Sequence, residues 1–80
     1  FNPETKIRFS LATPGRISLG IYNLKGQKVR SLAQANYPQG THSLIWNGLD
    51  DNGRAVSSGV YFARLTAENK SFSHKLVLIK

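Results

Sequence analysis

The sequence predicts an all-β fold. Apolar and polar residues alternate with a period of two along nearly the whole chain, which is typical of strands that bury one face. Short stretches rich in glycine, proline, asparagine or aspartate interrupt this alternation, and no segment of helical length carries a convincing 3.6-residue period. About seven short strands in 80 residues indicate an immunoglobulin- or fibronectin III-like antiparallel β-sandwich in preference to a barrel.

Three strands are predicted in the N-terminal half. The first two bury every second residue, and Pro14-Gly15 turns the chain between them. Asn23 to Gly26 is typical of a hairpin connection into the third strand. There, Val29 and Leu32 are three residues apart, which breaks the alternation and predicts a bulge or a strong twist. The alternating apolar positions of the first two strands are Ile7, Phe9, Leu11, Ile17, Leu19 and Ile21.

The fourth strand follows a turn at Pro38-Gln39-Gly40 and is expected to end at Trp46. Asp50 to Gly53 predicts another turn, after which a short strand around Val56 and a longer one from Gly59 to Leu65 are expected. Along the fourth strand the side chains alternate, with His42, Leu44 and Trp46 on one face and Ser43 and Ile45 on the other.

The last predicted strand runs from Ser71 to Ile79. Leu76 and Leu78 lie on one face, while Val77 and Ile79 lie on the other. Since both faces are apolar, this strand is expected to be covered on both sides.

Trp46 and Tyr61 identify the centre of the predicted sandwich. We expect Trp46 in the core against Phe9, Leu19 and Phe62. Tyr61 follows Trp46 by fifteen residues and lies in a Gly-Val-Tyr-Phe-Ala stretch. This stretch has the pattern of a tyrosine corner, in which the phenol oxygen of Tyr61 bonds to the main chain of the preceding loop. The acidic stretch between the two rings is therefore interpreted as a structural turn and not as a site of chemistry.

Catalysis and metal binding are not expected, and neither is a cofactor. The chain has no cysteine, no GxSxG motif and no HxH or HxxxH partner for His42 or His74. The stretch from Gly48 to Gly53 echoes part of a calcium loop, but Gly48 occupies the first ligand position and Gly59 the place of the closing glutamate. An Asx-type turn is the favoured interpretation of this loop.

The net charge of +7 raises the question of a polyanionic partner. The 11 basic residues are spread along the chain between apolar ones, as on the solvent face of strands, so nucleic-acid binding is not expected. An acidic glycan or an anionic lipopolysaccharide surface stays open as a partner. A carbohydrate-binding role would depend on Tyr22 and Tyr37, the two aromatic rings expected to be exposed.

Several segments together resemble two related families. The segments are FNPETKIRFSL, GRISLGIYNLKGQKV, GTHSLIWNGLDDNGRAVSSGVYFARL and the closing KLVLIK. Their order and spacing resemble the C-terminal type A sorting domains of the type IX secretion system and the immunoglobulin-like domain of the flagellar hook-capping protein. The chain departs from these families at Asn23, Asn47 and Gln27, which are not core positions. The structural signature of the resemblance consists of Trp46, Asp50, Gly53, Gly59 and Tyr61.

The resemblance implies a non-catalytic sorting and anchoring module, residues 1–80, at the C-terminus of a larger protein of a Gram-negative bacterium. Its partners would be the outer-membrane export machinery and a cargo domain on the same chain, and its location would be secreted or on the outer cell surface, reached through the periplasm. No membrane-spanning segment is expected. The start at Phe1, without an initiator methionine or signal peptide, also suggests a piece of a longer protein.

The export signal is expected in the last strand, because a terminal strand can be read by strand addition. Its residues are Lys75, Leu76, Val77, Leu78, Ile79 and Lys80. The alternative is an accessory module attached to a secreted enzyme, with a carbohydrate-binding, adhesive or spacer role, or a hook-cap-like structural domain.

Overall fold

The computed structural model describes residues 4–79 and contains six β-strands in two antiparallel sheets over that range. The predicted all-β immunoglobulin-like class is confirmed, with six strands instead of about seven. No helix long and apolar enough to cross a membrane occurs among these residues. The strands are β1 (Thr5–Leu11), β2 (Gly15–Asn23), β3 (Lys28–Tyr37), β4 (Gly40–Trp46), β5 (Gly59–Ala67) and β6 (Lys70–Leu78).

The two sheets differ in size. One contains β1 and β4 alone, and the other has the order β3-β2-β5-β6. The connections β1 to β2, β3 to β4 and β4 to β5 therefore cross between the sheets, whereas β2 to β3 and β5 to β6 are hairpins. Pro14 lies in one of the crossing connections, so it redirects the chain to the second sheet and does not close a hairpin.

The core lies between the sheets and follows the predicted alternation. No charged or polar side chain is buried among residues 4–79, so packing of apolar side chains is what holds the sheets together. The buried apolar side chains that form the core are Ile7, Phe9, Leu11, Ile17, Leu19, Ile21, Trp46, Tyr61, Ala63, Ala67, Leu76 and Leu78.

The edge strand β3 contains the predicted irregularity. Its pairing with β2 skips one residue at Val29 and another at Leu32, so each of these residues is the extra member of a β-bulge. Both side chains are partly buried against the core. The two bulges thus reset the alternation and allow residues three apart to face the same side.

The expected strand around Val56 is absent. Over this stretch the structure has a single antiparallel bridge between Leu49 and Ala55, and the Val56 amide donates to the carbonyl oxygen of Gly48 at 3.0 Å. These contacts close the loop between β4 and β5 on itself. The segment has too few apolar side chains to extend either sheet.

Two expectations about side-chain faces were wrong. Phe62 does not pack against Trp46: it follows the inward-facing Tyr61, so it points to the outer face, beside Tyr22 and Lys75 on the neighbouring strands. The last strand is covered on one side only, since Val77 is 44% exposed and Ile79 59% exposed. Residues 4–79 form one layer on each side of the core, and they add no further layer over the outer face of β6.

Candidate functional site

The five residues of the structural signature lie in the connection between β4 and β5 or in the adjoining ends of these two strands. Trp46 ends β4, Gly59 begins β5, and the Asp50 to Gly53 turn lies between them. The bridge between Leu49 and Ala55 closes the base of this turn. The predicted residues therefore form one structural unit.

Trp46 and Tyr61 form its apolar half. Trp46 is fully buried and its Nε1 donates to the carbonyl oxygen of Leu49 at 2.9 Å. The two rings meet edge to face, with centroids 5.3 Å apart and planes at 68°. The Tyr61 phenol donates to the carbonyl oxygen of Ser57 at 2.7 Å, which confirms the predicted tyrosine corner.

Asp50 organises the turn. Its Oδ1 accepts the main-chain amides of Asn52 at 2.9 Å and Arg54 at 3.0 Å, which is the predicted Asx-type arrangement. The Gly53 amide donates to the carbonyl oxygen of Asp50 at 3.0 Å. Gly53 has a φ of +78°, a conformation that glycine adopts without steric cost. Asp50 therefore stabilises the main-chain conformation of its own loop.

Asp51 has a role that the sequence did not single out. Its amide donates to the carbonyl oxygen of Val29 at 3.0 Å, and its Oδ1 accepts the amide of Ser31 at the same distance. Arg30 adds a 3.2 Å hydrogen bond to the carbonyl oxygen of Asp50 and lies 4.0 Å from the Asp51 carboxylate. The loop thus docks on the free edge of β3. In the sequence, the only indication of this role was that two aspartates come directly before an Asn-Gly turn.

The chemistry available to this loop is limited. Among residues 4–79, the carboxylates that line a polar depression beside it are those of Asp50 and Asp51, and both accept main-chain hydrogen bonds. No group of three or more His, Asp or Glu side chains lies close enough to hold a metal ion within residues 4–79. Both carboxylates thus hold main-chain groups in place, those of the turn itself and that of Ser31 in β3.

The predicted export strand lies at the edge of the larger sheet, next to β5. Leu76 and Leu78 are buried in the core, while Val77 and Ile79 are exposed on the outer face. Lys75 is also exposed, and Lys80 lies outside the described residues. The alternation within the strand is therefore as predicted for residues 75 to 79, and its role in export stays a prediction.

The aromatic rings considered for sugar binding are engaged within the fold. The guanidinium carbon of Arg64 lies 4.5 Å from the ring centroid of Tyr22. Tyr37 packs edge-on against Phe9 at 5.4 Å and His42 at 5.0 Å. Both tyrosines are half-buried and not exposed as expected.

Comparisons with known proteins agree with this structural interpretation. A crystal structure of FlgD from P. aeruginosa has a similar fold, with a TM-score of 0.64 and 24% sequence identity. The similarity covers 94% of this chain and 59% of the FlgD chain, and at this identity it establishes the fold alone. No curated protein matches the sequence. Of the two resemblances, that to type IX sorting domains stays a prediction. Since residues 2–71 match the model of the FlgD Ig-like domain, this chain belongs to that family.

Proposed function

We propose that this chain is a non-catalytic structural module, similar to a hook-cap domain, within a larger protein. The observation that supports this proposal most directly is the use of the β4–β5 loop. Its two carboxylates, those of Asp50 and Asp51, accept main-chain hydrogen bonds, and the hydroxyl of Tyr61 donates one. The side chains that could take part in chemistry therefore stabilise the fold instead. Membership of the FlgD Ig-like family supports a scaffold role and a non-enzymatic one at the level of the family.

The test is a domain exchange in the full-length protein. Residues 1–80 are replaced by an unrelated immunoglobulin-like domain of similar size, so that any spacer function is retained. A hook-cap-like module predicts normal protein levels, but loss of flagellar hooks in electron micrographs and of motility. Normal hooks after the exchange would contradict the assembly role and favour a simple spacer.

A second candidate, the C-terminal sorting module, is favoured by one observation. Val77 and Ile79 are exposed beside Leu76 and Leu78, which are buried in the core, and exposed apolar residues on an edge strand suit a surface that is read by another protein. Under this proposal the protein is secreted or held at the outer cell surface, where its net charge of +7 suits anionic lipopolysaccharide.

A reporter fusion tests the sorting proposal. The chain is fused to a periplasmic reporter in a bacterium with type IX secretion, and surface and medium fractions are assayed. Lys75→Glu and Lys80→Glu should reduce export, whereas Lys70→Glu, an exposed lysine at the other end of β6, should not. Each should change the free energy of unfolding by no more than about 0.5 kcal/mol. A reporter that stays in the periplasm with the folded chain attached would contradict sorting.

A further inference from the structure

An open groove runs along the free edge of β1. Its volume is about 290 Å³, and its lining is mainly apolar. Ile7 and Phe9 of β1 form one wall, while Leu65 of β5 and Phe72 and His74 of β6 form the floor. Phe72 lies on the inner face of β6, opposite the partly buried Leu65, and yet it is 56% exposed. The smaller sheet therefore leaves the inner face of β6 partly uncovered.

The groove has the position of a further strand. An immunoglobulin-like sandwich of seven strands has four in one sheet and three in the other, whereas residues 4–79 form four and two. β1 pairs with β4 on one side only, so main-chain amides and carbonyls along its other side face the groove. A strand added there would complete the smaller sheet and cover Phe72.

The charges beside the groove indicate what kind of strand would fit. Lys6 and Arg8 alternate with the buried residues of β1 and are exposed on its outer face. The single ion pair found within residues 4–79 joins Arg30 and Asp51, so neither Lys6 nor Arg8 has an acidic partner there. Side chains directly opposite on neighbouring strands lie about 5 Å apart. Acidic residues on the outer face of an added strand would therefore meet these two cations.

A second copy of this chain is a poor occupant. Pairing two copies of β1 would place Lys6 and Arg8 of one beside the same residues of the other, and like charges on neighbouring strands repel. The net charge of +7 on each copy adds to this repulsion.

We propose that the groove accepts an extended segment of another protein, which adds to the free edge of β1 and alternates apolar with acidic residues. Its apolar side chains would cover Phe72 and Leu65, and its acidic ones would face Lys6 and Arg8. This proposal rests on the proposed function as a hook-cap-like structural module and adds a kind of partner to it. Peptide binding by this chain and hook assembly by the whole protein are separate measurements, so either can fail alone.

The test uses a synthetic peptide of alternating valine and glutamate, with blocked ends and the length of β1, seven residues. Binding is measured by calorimetry at low and high salt. Arg8→Glu should weaken binding about tenfold, because it replaces an attraction with a repulsion. Arg16→Glu is the matched control: it makes the same charge change on an exposed residue of β2 outside the groove and should leave binding within about twofold.

A second measurement separates strand addition from general attraction between charges. In an extended peptide, the amides of alternate residues point to opposite edges. N-methylation of one alternate set should abolish binding and N-methylation of the other should not. Equal binding by both methylated peptides, equal effects of Arg8→Glu and Arg16→Glu, or no binding to the folded chain would each overturn the proposal. Dimerisation in sedimentation experiments without peptide binding would also overturn it, in favour of a second copy.

Discussion

The indole ring of Trp46 and the phenol ring of Tyr61 meet edge to face across the sandwich, with centroids 5.3 Å apart. Trp46 ends a strand of the smaller sheet, and Tyr61 lies in a central strand of the larger one. Each ring also donates a hydrogen bond to a main-chain carbonyl of the loop that connects their strands. This pair therefore joins the two sheets and the loop in one contact.

Trp46→Ala should lower the free energy of unfolding by about 3 to 5 kcal/mol, because it removes the largest fully buried side chain and leaves a cavity between the sheets. Chemical denaturation followed by circular dichroism measures the loss. Ile45→Ala is the control on the same strand, since Ile45 is 55% exposed and should cost less than about 1 kcal/mol. A Trp46→Ala midpoint close to that of the wild type would be incompatible with the observed core.

Tyr61→Phe should cost about 1 to 1.5 kcal/mol, because it deletes the hydrogen bond to the carbonyl oxygen of Ser57 and keeps the ring packing. Tyr22→Phe is the matched control: the ring of Tyr22 is half-buried against Arg64, and its packing does not depend on the hydroxyl. Thermal unfolding measures the stability of both variants. Equal stabilities of the two variants would mean that the corner hydrogen bond contributes nothing.

Asp50→Ala should cost about 1 to 2 kcal/mol, since the carboxylate accepts two main-chain amides of the turn. Asp50→Asn should cost less, because the amide oxygen can still accept a hydrogen bond at the same position. Asn52→Ala changes an exposed side chain in the same turn and should alter stability by less than about 0.5 kcal/mol. If Asp50→Ala were as mild as Asn52→Ala, the Asx turn would have no energetic role.

Gly53→Ala should cost about 1 to 2 kcal/mol through the backbone alone. The residue has a φ of +78°, and a β-carbon there would find no atom within 4 Å, so steric contact with neighbours does not contribute. Gly15→Ala is the control, because Gly15 has equal space and no positive φ, and this change should be neutral or slightly stabilising. Similar losses for the two variants in urea denaturation would rule out the conformational explanation.

Local patterns in the sequence were sufficient for much of the fold. Alternation identified the buried faces of the first two strands, and the spacing of Val29 and Leu32 indicated the bulges in β3. The spacing of Trp46 and Tyr61 predicted the tyrosine corner down to its hydrogen bond with the loop. These features depend on the period of two in a strand and on turn chemistry, both of which act between residues close in sequence.

The partition of strands between the sheets was decided only by the tertiary structure. Alternation tells which side of a strand is apolar, but it does not tell what lies against that side. The apolar residues Val77 and Ile79 therefore suggested a second covering layer, although the sandwich has none there. Phe72 lies on the inner face and is nevertheless exposed, because the smaller sheet has two strands and ends at β1. Pairing between strands far apart in the sequence created both the core and the groove beside β1, since these contacts form only when the whole chain is folded.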